Sequence, residues 1–127
     1  MPGEPLVPDE FDVYTLVILR RPPDAPDLSD DELAALQTRH LAYRAALAQR
    51  GTVVANGPFD EQSDPSYRGM SIFACDPAEA ARLSGQDPSV LAGRLAYDVM
   101  EWWVGAGSIA FPRAAGTVGD RRTMPDD

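Results

Sequence analysis

The run Val13-Tyr14-Thr15-Leu16-Val17-Ile18-Leu19 constrains the fold more than any other feature, because it is apolar or β-branched on both faces that a strand alternates between. A strand with one face in water would carry polar residues at every second position. This one belongs in the middle of a sheet with cover on both sides, so every other element must be a neighbour or a lid for it. At 127 residues the chain is long enough for one domain and too short for two separate cores. Its 44% hydrophobic and 24% charged residues match a folded globular domain.

Around that strand the remaining elements follow from punctuation. Pro22, Pro23 and Pro26 end it, since proline has no N–H to give to a ladder. Ser29 followed by Glu32 is a capping-box pattern, which predicts a helix from about Asp30 to Gly51. Its apolar stripe is Leu33, Leu36, Tyr43 and Leu47, and at 100° per residue His40 falls inside it. Arg39 and Arg44 flank the stripe and read as solvated, with the alternative of binding a substrate carboxylate. Strands are expected at Thr52–Phe59 and Gly69–Cys75, joined by a long polar loop. Asp76 and Pro77 predict the start of a second helix, and Asp87 and Pro88 that of a short helical turn ending at Gly93. A fourth strand spans Tyr97–Val104, and a further short one is possible at Ser108–Phe111. Residues 1–10, rich in proline, are read as a disordered leader, 11–111 as the α+β domain and 112–127 as a flexible tail.

The order β-α-β-β-α-β is that of a ferredoxin-like α+β unit, an antiparallel sheet with its helices on one face. Helices on one face leave the other uncovered, although the first and fourth strands carry large apolar residues on both. A homodimer in which two sheets pack face to face, a dimeric α+β barrel, covers it. A C-terminal segment folded over the sheet would do the same; the homodimer is the expectation.

Charge and composition exclude several classes of partner. The net charge of −9 repels polyanions, so neither nucleic acid nor an anionic membrane surface is an expected partner. Apolar runs are strand-sized, and the acidic, proline-containing N-terminus does not resemble a signal peptide, so the chain is read as cytoplasmic. One cysteine, Cys75, and one histidine cannot complete a Cys/His zinc site, and no glycine-rich loop cradles phosphate. No metal and no cofactor are expected.

His40 is the side chain best suited to proton transfer near neutrality. A histidine acting as a base gains from a carboxylate that holds its tautomer. Asp64, Asp76 and Asp87 each precede a proline, and such residues are commonly caps or turn starters, so the residues alone do not choose among them.

The run His40-Leu41-Ala42-Tyr43, then Gly51, Asn56-Gly57-Pro58-Phe59, Gly69, Ala78-Glu79-Ala80-Ala81, Asp87-Pro88-Ser89-Val90 and Gly93 resembles the YCII-related (YciI-like) family from about Asp12 to Val104. The resemblance implies a ferredoxin-like fold, usually dimeric, with a pocket beside the helices and a His-Asp dyad as the active site. Carried over by position, the dyad is His40 and Asp87, and the Gly57-Pro58 turn shapes the pocket. Members include a dehydrochlorinase of chlorinated hydroxyquinols. Where members often carry an aromatic after the Asp-Pro pair this chain has Ser89, which removes any ring-stacking role there. Tyr43, one turn from His40, and Ser71 and Phe73 on the third strand are further pocket candidates.

Two functions follow. One is a cofactor-independent lyase or isomerase in which the dyad transfers a proton on a small cyclic or dienoic acid. The other is a non-catalytic dimeric module that binds a small ligand or a protein, with the same two residues bracing a helical turn.

Overall fold

β1 (Phe11–Arg20) runs through the interior of a four-stranded antiparallel sheet, between β3 (Tyr67–Phe73) and β4 (Ala96–Gly105), with β2 (Val53–Pro58) beyond β3. That is the position its two-sided apolar sequence requires. The computed structural model describes residues 10–111, so the expected leader and tail, Glu10 apart, lie outside the described residues. The strand order β2-β3-β1-β4, with helices inserted after β1 and β3, gives a ferredoxin-like α+β fold.

α1 (Asp30–Gln49) begins with the capping box: Ser29 Oγ accepts the Glu32 N–H, and Glu32 Oε1 accepts the Ser29 N–H. Just past its end Gly51 takes φ of +80°, a left-handed conformation costly for any residue with a Cβ. α2 (Pro77–Gly85) is capped by Asp76 and α3 (Pro88–Leu91) by Asp87, each with proline in the first turn. Leu47 of α1 and Ala80 and Leu83 of α2 meet Val17, Leu19, Val53 and Phe73 of the sheet in one buried cluster, closed by Leu95. Burying each larger side chain stabilises the fold by roughly 1.5–3 kcal/mol.

The opposite face of the sheet is apolar as well. Leu16 lies between Ile72 and Met100 in the register, Tyr14 faces Trp102, and Met100 is 42% exposed. Phe111 meets the edge of the Tyr14 ring at 5.3 Å, at one end of this face. The possible strand at Ser108–Phe111 does not form. The chain turns tightly instead: the Ala106 N–H binds the Glu10 carbonyl, the Gly107 N–H the Asp12 carboxylate and the Ser108 N–H the Gly105 carbonyl. Among the described residues no helix is long and apolar enough to cross a membrane.

Candidate functional site

The three aspartates that precede prolines have separate fates. Asp64 accepts the N–H and hydroxyl of Ser66 in an exposed turn, and Asp76 accepts the Glu79 N–H at the start of α2. Asp87, fully buried, accepts the Ser89 N–H at 2.9 Å as the cap of α3 and has acceptor capacity left for side chains. α1 supplies them. His40 Nδ1 lies 2.9 and 2.8 Å from the two Asp87 oxygens, and Arg44 Nε donates to Oδ2 at 2.9 Å.

Arg44 is the main surprise. It is 2% exposed, where the sequence read it as a solvated flank. The α1–α3 contact covers that flank, and the guanidinium meets the Asp87 carboxylate while lying 5.9 Å above the Phe73 ring. Nη1 reaches Ser71 Oγ at 3.5 Å, and Nη2 is buried without a hydrogen-bond partner. Ser71 Oγ in turn donates to Asn56 Oδ1 at 2.7 Å, so a polar path runs from β2 through β3 and α1 to the α3 cap.

Burial by itself pushes the Asp87 carboxyl up. The hydrogen bond and charge of His40, the Ser89 N–H and the Arg44 guanidinium outweigh it and hold the group below the ordinary carboxylate value. Asp87 is therefore an anion and can only accept, so the proton on the His40 side of the contact sits on Nδ1. In the neutral ring this leaves the lone pair on Nε2.

His40 also lines a cavity of about 650 Å³, within the size range of small-molecule sites. Leu33, Leu36 and Gln37 continue the α1 wall, and Asn56, Gly57 and Pro58 form the β2 wall. Gly69 completes that side: a Cβ there would sit 2.8 Å from the Gly57 carbonyl oxygen, so only glycine permits this approach of β3 to β2. Of the pocket candidates, Gly57 and Pro58 line the cavity, whereas Tyr43, Ser71 and Phe73 stand behind its wall. Tyr43 turns to the core and donates to the Leu83 carbonyl at 2.8 Å; Phe73 is core beneath Arg44, and Ser71 reaches the cavity only through Asn56.

The burial of Arg44 and its bond to Asp87 were missed, although its i+4 spacing from His40 places both on one side of α1. Arg21, Arg68 and Arg94, three further cavity residues, carry no local sequence signal. Cys75 is not activated: burial and the charges of Glu79 and Asp76 push its thiol up. Among the described residues no group of three or more His, Cys, Asp or Glu side chains could hold a metal ion.

No curated protein matches the sequence. Several solved structures are similar, two of them as follows. One is the 5-chloro-2-hydroxyhydroquinone dehydrochlorinase TftG of Burkholderia phenoliruptrix AC1100, in complex with 2,5-dihydroxybenzoquinone, at 23% identity and a TM-score of 0.49, covering 70% of this chain and 92% of that one. The other, from Chloroflexus aurantiacus J-10-fl and assigned as an antibiotic biosynthesis monooxygenase, has 16% identity and a TM-score of 0.43, covering 80% of this chain and all of that one. The YCII-related domain family matches residues 14–103, most of the chain and every element of the sheet and helices, and the chain belongs to that family.

Proposed function

We propose that the chain is a small cofactor-independent lyase or isomerase in which His40 and Asp87 act as a dyad on a small cyclic or dienoic acid. The observation that carries this reading is the ionised, buried Asp87 gripping Nδ1 of a histidine that also lines a cavity. In the first step Nε2 takes a proton from an acidic C–H of the substrate, whose electron pair passes into the adjoining unsaturated system, while Asp87 stabilises the imidazolium. An isomerisation ends when the imidazolium returns the proton to another carbon; an elimination ends when the electron pair expels the leaving group as an anion and the imidazolium releases its proton to that group or to water.

The test is solvent exchange. Small cyclic and dienoic acids incubated with the protein in D₂O acquire deuterium at the acidic carbon, read by proton NMR, and His40→Gln slows the exchange by about 10²–10⁴-fold. Exchange at the native rate in His40→Gln would remove His40 from the chemistry.

The proposal includes a homodimer joined through the open sheet face, supported by the apolar, partly exposed patch around Leu16, Met100 and Trp102. Sedimentation reads twice the chain mass for the native protein and the single-chain mass for Met100→Glu. A monomeric native protein would count against it.

A second reading, the non-catalytic binding module, is favoured by Arg44, which joins α1 to the α3 cap through Asp87 as a purely structural bond would. Stable binding of small acids with no exchange into any of them would select it.

A further inference from the structure

We propose that Arg21 and Arg94, with Arg68 beside them, form a carboxylate-binding subsite in the cavity lined by His40, so that the ligand is a small organic acid held by its carboxylate. For the chemistry it serves, the subsite rests on the proposed role of His40; binding itself does not depend on it.

The charge distribution is the first support. The chain carries a net charge of −9, yet this cavity wall contains three arginines and His40 and not one Asp or Glu. Three arginines outside the cavity find carboxylates: Arg20 pairs with Asp98, Arg82 with Glu79 and Arg44 with Asp87. Arg21 and Arg94 make no ion pair among the described residues. Each is fastened through one nitrogen to a backbone carbonyl, Arg21 Nε to Arg94 and Arg94 Nη1 to Pro26, both at 3.0 Å. Those bonds hold the side chains in place and leave Nη1 and Nη2 of Arg21, and Nε and Nη2 of Arg94, to donate to a ligand.

Like charges gathered this way repel. Burial and the neighbouring charges of Arg94 and Arg68 together disfavour the charged form of Arg21. A ligand anion relieves that repulsion, and a planar carboxylate matches the two-pronged geometry of a guanidinium. The rest of the wall selects the ligand's body: Leu19, Leu33 and Leu95 offer apolar surface, and the cavity of about 650 Å³ suits a single ring or short diene. With its carboxylate on the arginines, the carbon skeleton extends along this apolar wall toward His40 on α1.

The experiment titrates benzoate, benzamide and inorganic phosphate into the native protein, Arg21→Met, Arg94→Met and His40→Gln, following the amide resonances of Gly57 and Gly69, with the whole amide spectrum reporting the fold. Benzoate should perturb both glycines in the native protein, and benzamide should bind roughly tenfold or more weakly, the loss expected when a charged hydrogen-bond partner is removed. Each arginine variant should weaken benzoate by a similar factor with the spectrum of β1 and β3 intact, and His40→Gln should retain benzoate binding. If Arg21→Met proves unstable, Arg21→Lys, which keeps the charge but loses the fork, should still bind benzoate more weakly than the native protein. No benzoate binding, equal binding of benzamide, indifference to the folded arginine variants, or phosphate binding more tightly at the same arginines would each overturn the subsite. Arginine-dependent binding without deuterium exchange in any acid would overturn only the role of His40, and exchange without arginine dependence only the subsite.

Discussion

His40 and Arg44, one turn apart on α1, both donate to Oδ2 of Asp87, at 2.8 and 2.9 Å. One of these cations is permanent and the other exists only when the imidazole is protonated. Arg44 thus keeps the carboxylate matched in every protonation state of His40, which leaves the histidine free to gain and lose its proton without exposing a bare buried anion. The division also sets what each substitution should do.

Removing Asp87 should be the costliest change in the site. Asp87→Ala leaves the 2%-exposed Arg44 with only the long Ser71 contact and the Phe73 face, and breaking a buried pair in this way costs about 3–5 kcal/mol. Arg44→Met should cost less, because Asp87 keeps His40 and the Ser89 N–H. Adding Arg44→Met to Asp87→Ala should restore part of the lost stability by removing the orphaned charge. Urea denaturation of the two single variants and the double variant reads all three, and a double variant less stable than Asp87→Ala speaks against the pairing.

Stability should depend on pH through Asp87. Its folded pKa lies below the ordinary value of 3.8, so the folded state binds the proton more weakly than the unfolded chain does. The stabilisation it supplies is complete above that value and is lost as pH falls through the lower folded pKa. The gap in urea midpoint between the native protein and Asp87→Asn should therefore close as pH falls below about 4. A gap that widens as pH falls below about 4 would mean that the ionised form is not the favoured one.

The β2–β3 wall should respond unequally to two similar substitutions. Gly69→Ala drives a Cβ to 2.8 Å from the Gly57 carbonyl oxygen and 3.3 Å from Pro58 Cα, both backbone atoms that cannot swing aside. Overpacking of this kind costs about 1–3 kcal/mol, and it displaces the cavity wall, so benzoate affinity should fall too. At Gly57 an added Cβ meets nothing within 4 Å, and Gly57→Ala should stay within about 0.5 kcal/mol of native. Thermal unfolding of the two variants checks the contrast.

His40→Gln should separate chemistry from folding. A glutamine amide can still donate toward Asp87, so the variant should lose less stability than Asp87→Ala, while the rate of proton exchange on an acid substrate falls by about 10²–10⁴-fold. Equal loss of stability in His40→Gln and Asp87→Ala, with the exchange rate unchanged, would assign the histidine to the scaffold.

Local chemistry made most of the fold legible in the sequence. The two-sided apolar run placed β1 inside the sheet, the Ser29–Glu32 box started α1, and the Asp76-Pro77 and Asp87-Pro88 pairs started α2 and α3. Those signals act within a few residues of the elements they control. Arg44 shows where such reading stops: its spacing from His40 puts it on the same side of α1, but its burial depends on Asp87, 43 residues away. The cavity arginines are harder still, since Arg21, Arg68 and Arg94 come from three separate parts of the chain and share a wall only after the sheet has formed. Ser108–Phe111 has strand-like residues, but the bonds from Ala106 and Gly107 to Glu10 and Asp12 turn the chain just past β4, beside the start of β1, instead.

The orientation of His40 by Asp87 is tested most directly by the tautomer of the imidazole, which the single histidine of the chain makes unambiguous to assign. Long-range ¹H–¹⁵N correlation spectra recorded where the ring is neutral should show the proton on Nδ1 and the lone pair on Nε2, and Asp87→Asn should disturb that preference. A ring protonated on Nε2, or a tautomer indifferent to Asp87→Asn, would contradict the proposal that Asp87 prepares His40 as a base.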